Sequence, residues 1–323
     1  MIAIVVTNVY NSKYMKIWLD NKKIDLSVFK SEKFLLLPLF DKETINKDKD
    51  FKDSKWSAEI SHLTQYTEIE EADIIVYHDK LDTGIIDTIQ LATQYNKKIV
   101  AFFNDDKSIP STLPDCVDLY RTSLYKSKQK KNEFSLPAWS EDFGATETLN
   151  IRTKANKPIV GFCGAHTHSI RHDAITQLKN NNNIETNFVI RSSYWGGNIH
   201  GEQIRREYIT NINNSDLVLC CRGAGNFSYR LFETMSLGRV PIIVDTDIAL
   251  PCEDIIDWKK IGIWVSSVND INTAISLFWD NITNDEYREL QNTIRDTYVK
   301  YLSPSGFTQY LHLKYSNDKN REI

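Results

Sequence analysis

The sequence predicts an α/β protein built of two Rossmann-like halves facing across a cleft. Three observations predict it. Short apolar runs alternate with longer amphipathic segments along most of the chain. Its 323 residues suit two domains of roughly 150 residues better than one. The same strand–helix–strand order recurs on either side of a polar, aperiodic stretch at 146–157.

In the first half the strand candidates are Ile2–Val6, Phe34–Leu37, Asp73–Tyr77, Lys98–Phe103 and Val117–Tyr120. Between the third and fourth, Gly84 to Tyr95 carries Ile85, Ile86, Ile89, Leu91 and Ala92 at spacings nearer a helical period than an alternation. Strand, helix and strand in that order read as a right-handed crossover in a parallel sheet. The polar stretch ends in Asn156-Lys157-Pro158 just before a strand, which divides the chain into two halves, 1–150 and 151–323. There the strand candidates are Pro158–Phe162, Thr186–Ile190, Asp216–Cys220, Val240–Val244 and Ile261–Val265, with helices at Arg171–Leu178, Glu202–Ile212 and Tyr229–Leu237. After Asn269 the pattern is helical; Pro304 and Gly306 interrupt it, and Phe307–Tyr315 forms a last short helix. The terminal helices are expected to cross back over the cleft.

Composition narrows the function classes. The formal net charge of -4, with 41% hydrophobic and 25% charged residues, is that of a globular protein with no basic excess for nucleic acid. The one basic run, Lys126 to Lys131, reads as a solvated loop rather than an anion-binding patch. Five cysteines form neither a disulfide framework nor a zinc pattern; Cys220 and Cys221 close an apolar run as small core residues. A reducing, cytoplasmic setting follows. No basic leader opens the chain and no apolar stretch approaches the roughly 20 residues of a membrane span, so a soluble protein is expected, with peripheral membrane contact left open.

The most informative segment runs from Asp216 to Trp258. A buried strand leads into Arg222-Gly223-Ala224-Gly225-Asn226, whose glycines free the backbone to expose its N–H groups. Ser228 stands at a helix N-cap position, Tyr229 opens the helix, and Gly238 closes it. Strand, glycine turn and helix N-terminus make an anion site at the carboxyl edge of a parallel sheet. Arg222 and Arg230 flank it with guanidinium groups suited to phosphate oxygens. Glu233, one turn after Arg230, suits a ribose diol. The bland alternative is a common glycine turn with each arginine in a surface ion pair. The dinucleotide fingerprint is absent, because Ser228 follows Gly223 and Gly225 where a third glycine belongs.

This segment resembles the donor-binding signature of exostosin-type glycosyltransferases. The resemblance runs through Arg222, Gly223, Gly225, Ser228, Arg230, Glu233, Gly238 and Pro241, then Leu250, Pro251, Glu253, Asp254, Ile256, Asp257 and Trp258. It covers residues 158–265 clearly. The first half is matched only through Arg121-Thr122-Ser123 and Leu136-Pro137-Ala138-Trp139. It implies a two-domain fold of the GT-B type, a nucleotide-diphosphate sugar donor and an inverting reaction. Arg222, Ser228 and Arg230 would touch the diphosphate and Glu233 the ribose or nucleotide, with Gly223, Gly225, Asn226 and Tyr229 completing the turn. Cys221 departs from the proline that often precedes the motif arginine. The membrane anchor of animal exostosins is missing, which favours a bacterial or viral cytosolic enzyme.

Outside that segment, Arg171 follows Gly161-Phe162-Cys163-Gly164 at a helix entrance and is a further phosphate candidate. His166 and His168 lack the carboxylate or cysteine that would complete a metal set, so no metal is expected. Asp245-Thr246-Asp247 is a strand-end loop that sets Asp247 near the donor sugar. Arg191-Ser192-Ser193-Tyr194-Trp195-Gly196-Gly197 is a loop on the same sheet edge, with Arg191 a further donor-binding candidate and Tyr194 and Trp195 either stacking on a base or sugar or packing. An inverting displacement needs a general base. The candidates are Asp79, Asp105, Asp106, Glu141, Asp142 and His166. Asp142 and His166 are preferred, Asp142 because Trp139 beside it offers a sugar platform. The expected activity is transfer from a UDP- or GDP-sugar to a glycan acceptor, without a cofactor. A sugar-nucleotide epimerase and a non-catalytic glycan-binding scaffold are the alternatives.

Overall fold

The computed structural model describes residues 2–6, 74–78, 84–108, 112–138, 141–192 and 201–318. Their strands form two five-stranded sheets, each parallel throughout. The first holds β1 (Ile2–Val6), β2 (Ile74–His78), β3 (Lys98–Phe103), β4 (Val117–Arg121) and β5 (Glu133–Ser135) in chain order, with α1 (Gly84–Gln94) crossing from β2 to β3. The expected strand Phe34–Leu37 lies outside the described residues. β5 has three residues, too few to show a period, and exists because Leu119 to Arg121 of β4 supply its partner backbone.

A short α2 (Phe143–Thr146) leads to the second sheet. This comprises β6 (Ile159–Ala165), α3 (Ser169–Lys179), β7 (Glu185–Arg191), α4 (Gly201–Asn213), β8 (Leu217–Leu219), α5 (Tyr229–Ser236), β9 (Val240–Val244) and β10 (Ile263–Val265). β8 and β9 are buried at every position, as parallel strands covered on both faces must be. The strand order is β10-β9-β8-β6-β7. The chain therefore steps from β6 out to β7, then returns across β6 to lay down β8. That reversal opens a crevice at the carboxyl ends of β6 and β8, where ligands of open α/β sheets bind.

Two features anchor this half. Gly238 takes a left-handed φ of 65° to close α5, and a Cβ there would stand 2.8 Å from the Gln291 carbonyl oxygen. Asp216, fully buried before β8, accepts from the Ile159 N–H at 2.8 Å and pairs with Arg152 Nε at 2.5 Å, which ties the 150–159 stretch to the sheet.

The C-terminal run contains α6 (Ile271–Asn281), α7 (Asn284–Thr297), a π turn (Tyr298–Leu302) and α8 (Pro304–Asp318). Pro304 opens α8 instead of interrupting it, since the first helical position has no N–H bond to lose. Ser303 Oγ accepts the Gly306 N–H at 3.1 Å, a cap the periodicity did not register. α8 packs on the first sheet. Tyr315 Oη donates to Asp118 Oδ2 at 2.7 Å and lies 3.1 Å from Tyr120 Oη, while the Phe307 ring meets Tyr120 edge-on. The chain thus ends against the half in which it began, completing a fold of two parallel sheets.

Candidate active site

The crevice is built from three chain segments. β6 ends at Ala165 and passes through His166, Thr167 and His168 into α3. His168 is the N-cap, its Nδ1 accepting the Ile170 N–H at 3.2 Å. Its burial, then Arg222 and Arg171, hold the imidazole below its usual pKa, so the ring stays neutral and able to accept. β8 runs through Cys220 and Cys221, whose burial pushes both thiols up to about 12 and leaves them inert core groups. The third segment is the turn from Arg222 to Ser228 and the start of α5.

Arg230 lies at the centre and is only 7% exposed. Its guanidinium rests 4.2 Å over the Phe162 ring and 5.7 Å from that of Tyr208, and Nη2 donates to the Cys163 carbonyl at 2.6 Å. A Cβ on Gly164 would come within 2.7 Å of that Nη2, so glycine is what lets the arginine lie against β6. The Nε and Nη1 of Arg230 make no hydrogen bond within the protein, and neither do the buried Thr167 Oγ1 and Ser228 Oγ. Ser228 occupies the N-cap position of α5, yet its hydroxyl does not cap the helix. Unpaired donors on a buried cation cost on the order of several kcal/mol. An anion that brings oxygen acceptors offsets that cost, and α5's N-terminal amides favour the same charge.

Around this centre, Glu233 accepts a hydrogen bond from Tyr208 Oη at 2.5 Å. Burial first, then Glu233, raises the Tyr208 phenol well above 10, so it remains a donor. Arg171 forms the floor, with Nε to the Arg222 carbonyl at 2.8 Å, Nη1 to Ala165 and Nη2 to Cys221. It ties the ends of β6 and β8 together rather than presenting a free fork. Gly223 sits where a Cβ would stand 3.1 Å from Arg171 Nη2 and 3.6 Å from Thr167 Oγ1, so the turn closes onto the β6 loop.

The opposite half reaches the same turn. Arg222 Nη1 donates to Tyr125 Oη at 2.7 Å, Tyr229 Oη to Asn104 Oδ1 at 3.2 Å, and the Gly225 N–H to Asp106 Oδ1 at 3.2 Å.

Several expected site residues are placed elsewhere or otherwise engaged. Asn226 is fully buried: its N–H goes to Ser123 Oγ, its Nδ2 to the Leu124 carbonyl, and its Oδ1 accepts from Thr246 Oγ1. With its amide consumed, it is a clasp between the halves and not a donor contact. Asp247 turns away from the crevice and accepts from the N–H and hydroxyl of Ser127. Asp142, 8% exposed, is held by both Nη atoms of Arg295 at 2.5 and 3.1 Å, an engagement that leaves it poorly suited to act as a base. Arg191 pairs with Glu207, and Glu141 with Arg205. His166 is exposed beside the His172 ring, and no group of three metal-binding side chains gathers among the described residues. Asp79, Trp139 and the stretch from Ser193 to Gly197 with Tyr194, Trp195 and Gly196 lie outside the described residues. Sequence reasoning missed Phe162, Thr167 and Tyr208. None stands in the glycine turn, and only the fold brings them to Arg230.

Two parallel sheets, the second reversing its strand order beside the buried Arg230, define an α/β protein whose crevice has the chemistry to hold a phosphate-bearing ligand. The family model described as the Exostosin GT47 domain matches residues 74–278, well over half of the chain, and the chain belongs to that glycosyltransferase family. It is 30% identical over 87 residues to the probable beta-1,4-xylosyltransferase IRX10 of Arabidopsis thaliana, covering 26% of this chain and 21% of the relative. With Exostosin-1 of Drosophila melanogaster the identity is 36% over 63 residues, 20% of this chain and 8% of the relative. The chain thus spans about a fifth or less of the length of these relatives. Among solved structures, WaaG, a glycosyltransferase involved in lipopolysaccharide biosynthesis, aligns with 96% of this chain and 98% of its own at 10% identity and a TM-score of 0.37. No helix among the described residues is long and apolar enough to cross a membrane.

Proposed function

We propose that this chain is an inverting glycosyltransferase that moves a sugar from a UDP- or GDP-sugar onto a glycan acceptor. One observation carries the reading. Arg230 is buried with Nε and Nη1 lacking protein partners, beside the unpaired hydroxyls of Ser228 and Thr167, in the crevice of the second sheet. A diphosphate supplies the oxygen acceptors these donors lack. As the bond from the sugar to the diphosphate breaks, negative charge grows on the leaving oxygens. Fixed donors in a dry crevice stabilise that charge most when it is greatest. Arg222 lies at the mouth of the crevice, and Glu233, held by Tyr208, is the carboxylate at hand for a ribose diol. In this reading the arginine and the helix amides neutralise the leaving group, and neither a metal nor another cofactor is assigned. The first sheet presents the acceptor.

A thermal-shift series with UDP, GDP, CMP and their sugars, with and without EDTA, tests the reading. One nucleoside diphosphate is expected to raise Tm strongly, and Arg230→Ala to remove most of that rise. If no nucleoside diphosphate stabilises the chain, or a folded Arg230→Ala variant keeps the full shift, the reading is wrong.

A further inference from the structure

The geometry points to Asp106 as the general base of the transfer, and to its carboxylate as a stand-in that the donor diphosphate must replace. This rests on the reading of positions 222–233 as the diphosphate grip.

Asp106 follows β3 in the first sheet and is exposed at the crevice. Its neighbours are pinned by the end of β4. Thr122 Oγ1 accepts the Asp105 N–H at 3.2 Å and donates to the Asp105 carbonyl at 3.1 Å, and Arg121 Nη2 donates to the Lys107 carbonyl at 2.9 Å. The Asp105 carboxylate is turned back on this loop, accepting the Lys107 N–H at 2.7 Å. Asp106 points the other way, across to the glycine turn.

There its Oδ1 accepts the Gly225 N–H at 3.2 Å, and a Cβ on residue 225 would stand 2.8 Å from that oxygen. A side chain at 225 would crowd the Phe227 ring, 2.5 Å from its Cβ, as well as this carboxylate. The bond is longer than the roughly 2.7–2.9 Å of a strong charge-assisted hydrogen bond, so it is readily exchanged. A backbone amide in a glycine turn at a helix N-terminus is the donor a phosphate oxygen seeks. The carboxylate and a diphosphate therefore compete for one site.

Of the other carboxylates weighed for this role and described, Asp142 and Glu141 are each paired to an arginine and Asp105 bonds its own loop. Asp106 is the acid on the acceptor-side sheet that donor binding itself releases. In the transfer, its carboxylate takes the proton of the acceptor hydroxyl as that oxygen bonds to the anomeric carbon. The bond from that carbon to the diphosphate oxygen breaks, and its electron pair leaves on the diphosphate.

The test uses the full chain and the isosteric Asp106→Asn, with Asp106→Ala beside it. Calorimetry gives the affinity for UDP, GDP and inorganic pyrophosphate. Release of nucleoside diphosphate from the nucleotide sugar with the largest thermal shift gives turnover, with water as acceptor. Both variants are expected to bind pyrophosphate and nucleotide several-fold more tightly, because the competing anion is gone. Both are expected to turn over about 100-fold or more slowly, the usual scale for loss of a general base, and to lose the acid limb of the rate–pH profile. A residue that only clasps the halves would weaken binding when removed. Weaker or unchanged binding, or unchanged turnover, overturns the proposal while Arg230-dependent nucleotide binding leaves the site reading standing. If nucleotide fails to bind, or binds independently of Arg230, the site reading falls and takes this one with it.

Discussion

Asn226 shows how a single side chain can look like a ligand contact and act as a joint. Its N–H, Nδ2 and Oδ1 reach Ser123, Leu124 and Thr246, and its Nδ2 lies 3.4 Å from the Asp247 carbonyl. Alanine keeps the backbone N–H but removes the amide that joins the Leu124 carbonyl of one half to the Thr246 hydroxyl of the other. Asn226→Ala should therefore lower stability by about 1–3 kcal/mol, read as a fall in the urea midpoint. A midpoint unchanged from wild type would show that the clasp contributes nothing. Arg230 is the opposite case. Its spacing from Glu233 was legible, but the bed of Phe162 and Tyr208 beneath it was not. Those rings come from β6 and α4, and nothing in the turn encodes them.

At the scale of the element, α3 begins with a cap that titrates. His168 accepts the Ile170 N–H through Nδ1, which requires the neutral ring. Burial, with Arg222 and Arg171 nearby, puts its folded pKa below the usual value. The unfolded chain then takes up the extra proton first as pH falls through about 6.5. The stability contribution is full above that pH and is lost below it. His168→Asn keeps a capping oxygen and removes the titration. Between pH 7.5 and 5.5 the wild-type urea midpoint should fall further than the variant's; equal falls would contradict this assignment. Most elements were legible to within a few residues because their periods are local. β5 and α2 were not, since three or four residues carry no period. α8 starts three residues before the helix that the periodicity predicts, because a proline at the first helical position opens a helix rather than breaking it.

Across the whole molecule, contacts distant in sequence join the halves. Tyr125 pairs with Ile248, Lys126 with Glu253, and Ser127 with Asp247. α8 adds a second seam, where the buried Tyr315 meets Asp118 and Tyr120. Tyr315→Ala opens a cavity beneath the first sheet and removes a partner from the largely buried Asp118. A loss of about 3–5 kcal/mol is expected, on the scale of large aromatic truncations. Equilibrium unfolding measures it, and a loss under 1 kcal/mol would mean that α8 is not a structural part of that half.

From the sequence alone one reads the alternation of strands and helices, the glycine turn that opens α5, and the family signature running through it. All depend on neighbours a few residues apart, where hydrophobic period and backbone freedom act. Tertiary structure alone decided which charges stay available at the crevice. Asp142 met Arg295, Asn226 met Ser123, and Asp106 met Gly225 across more than a hundred residues of chain. The strand-order reversal and the returning C-terminal helix make those meetings, and a side chain's chemistry depends on the partner that packing brings to it.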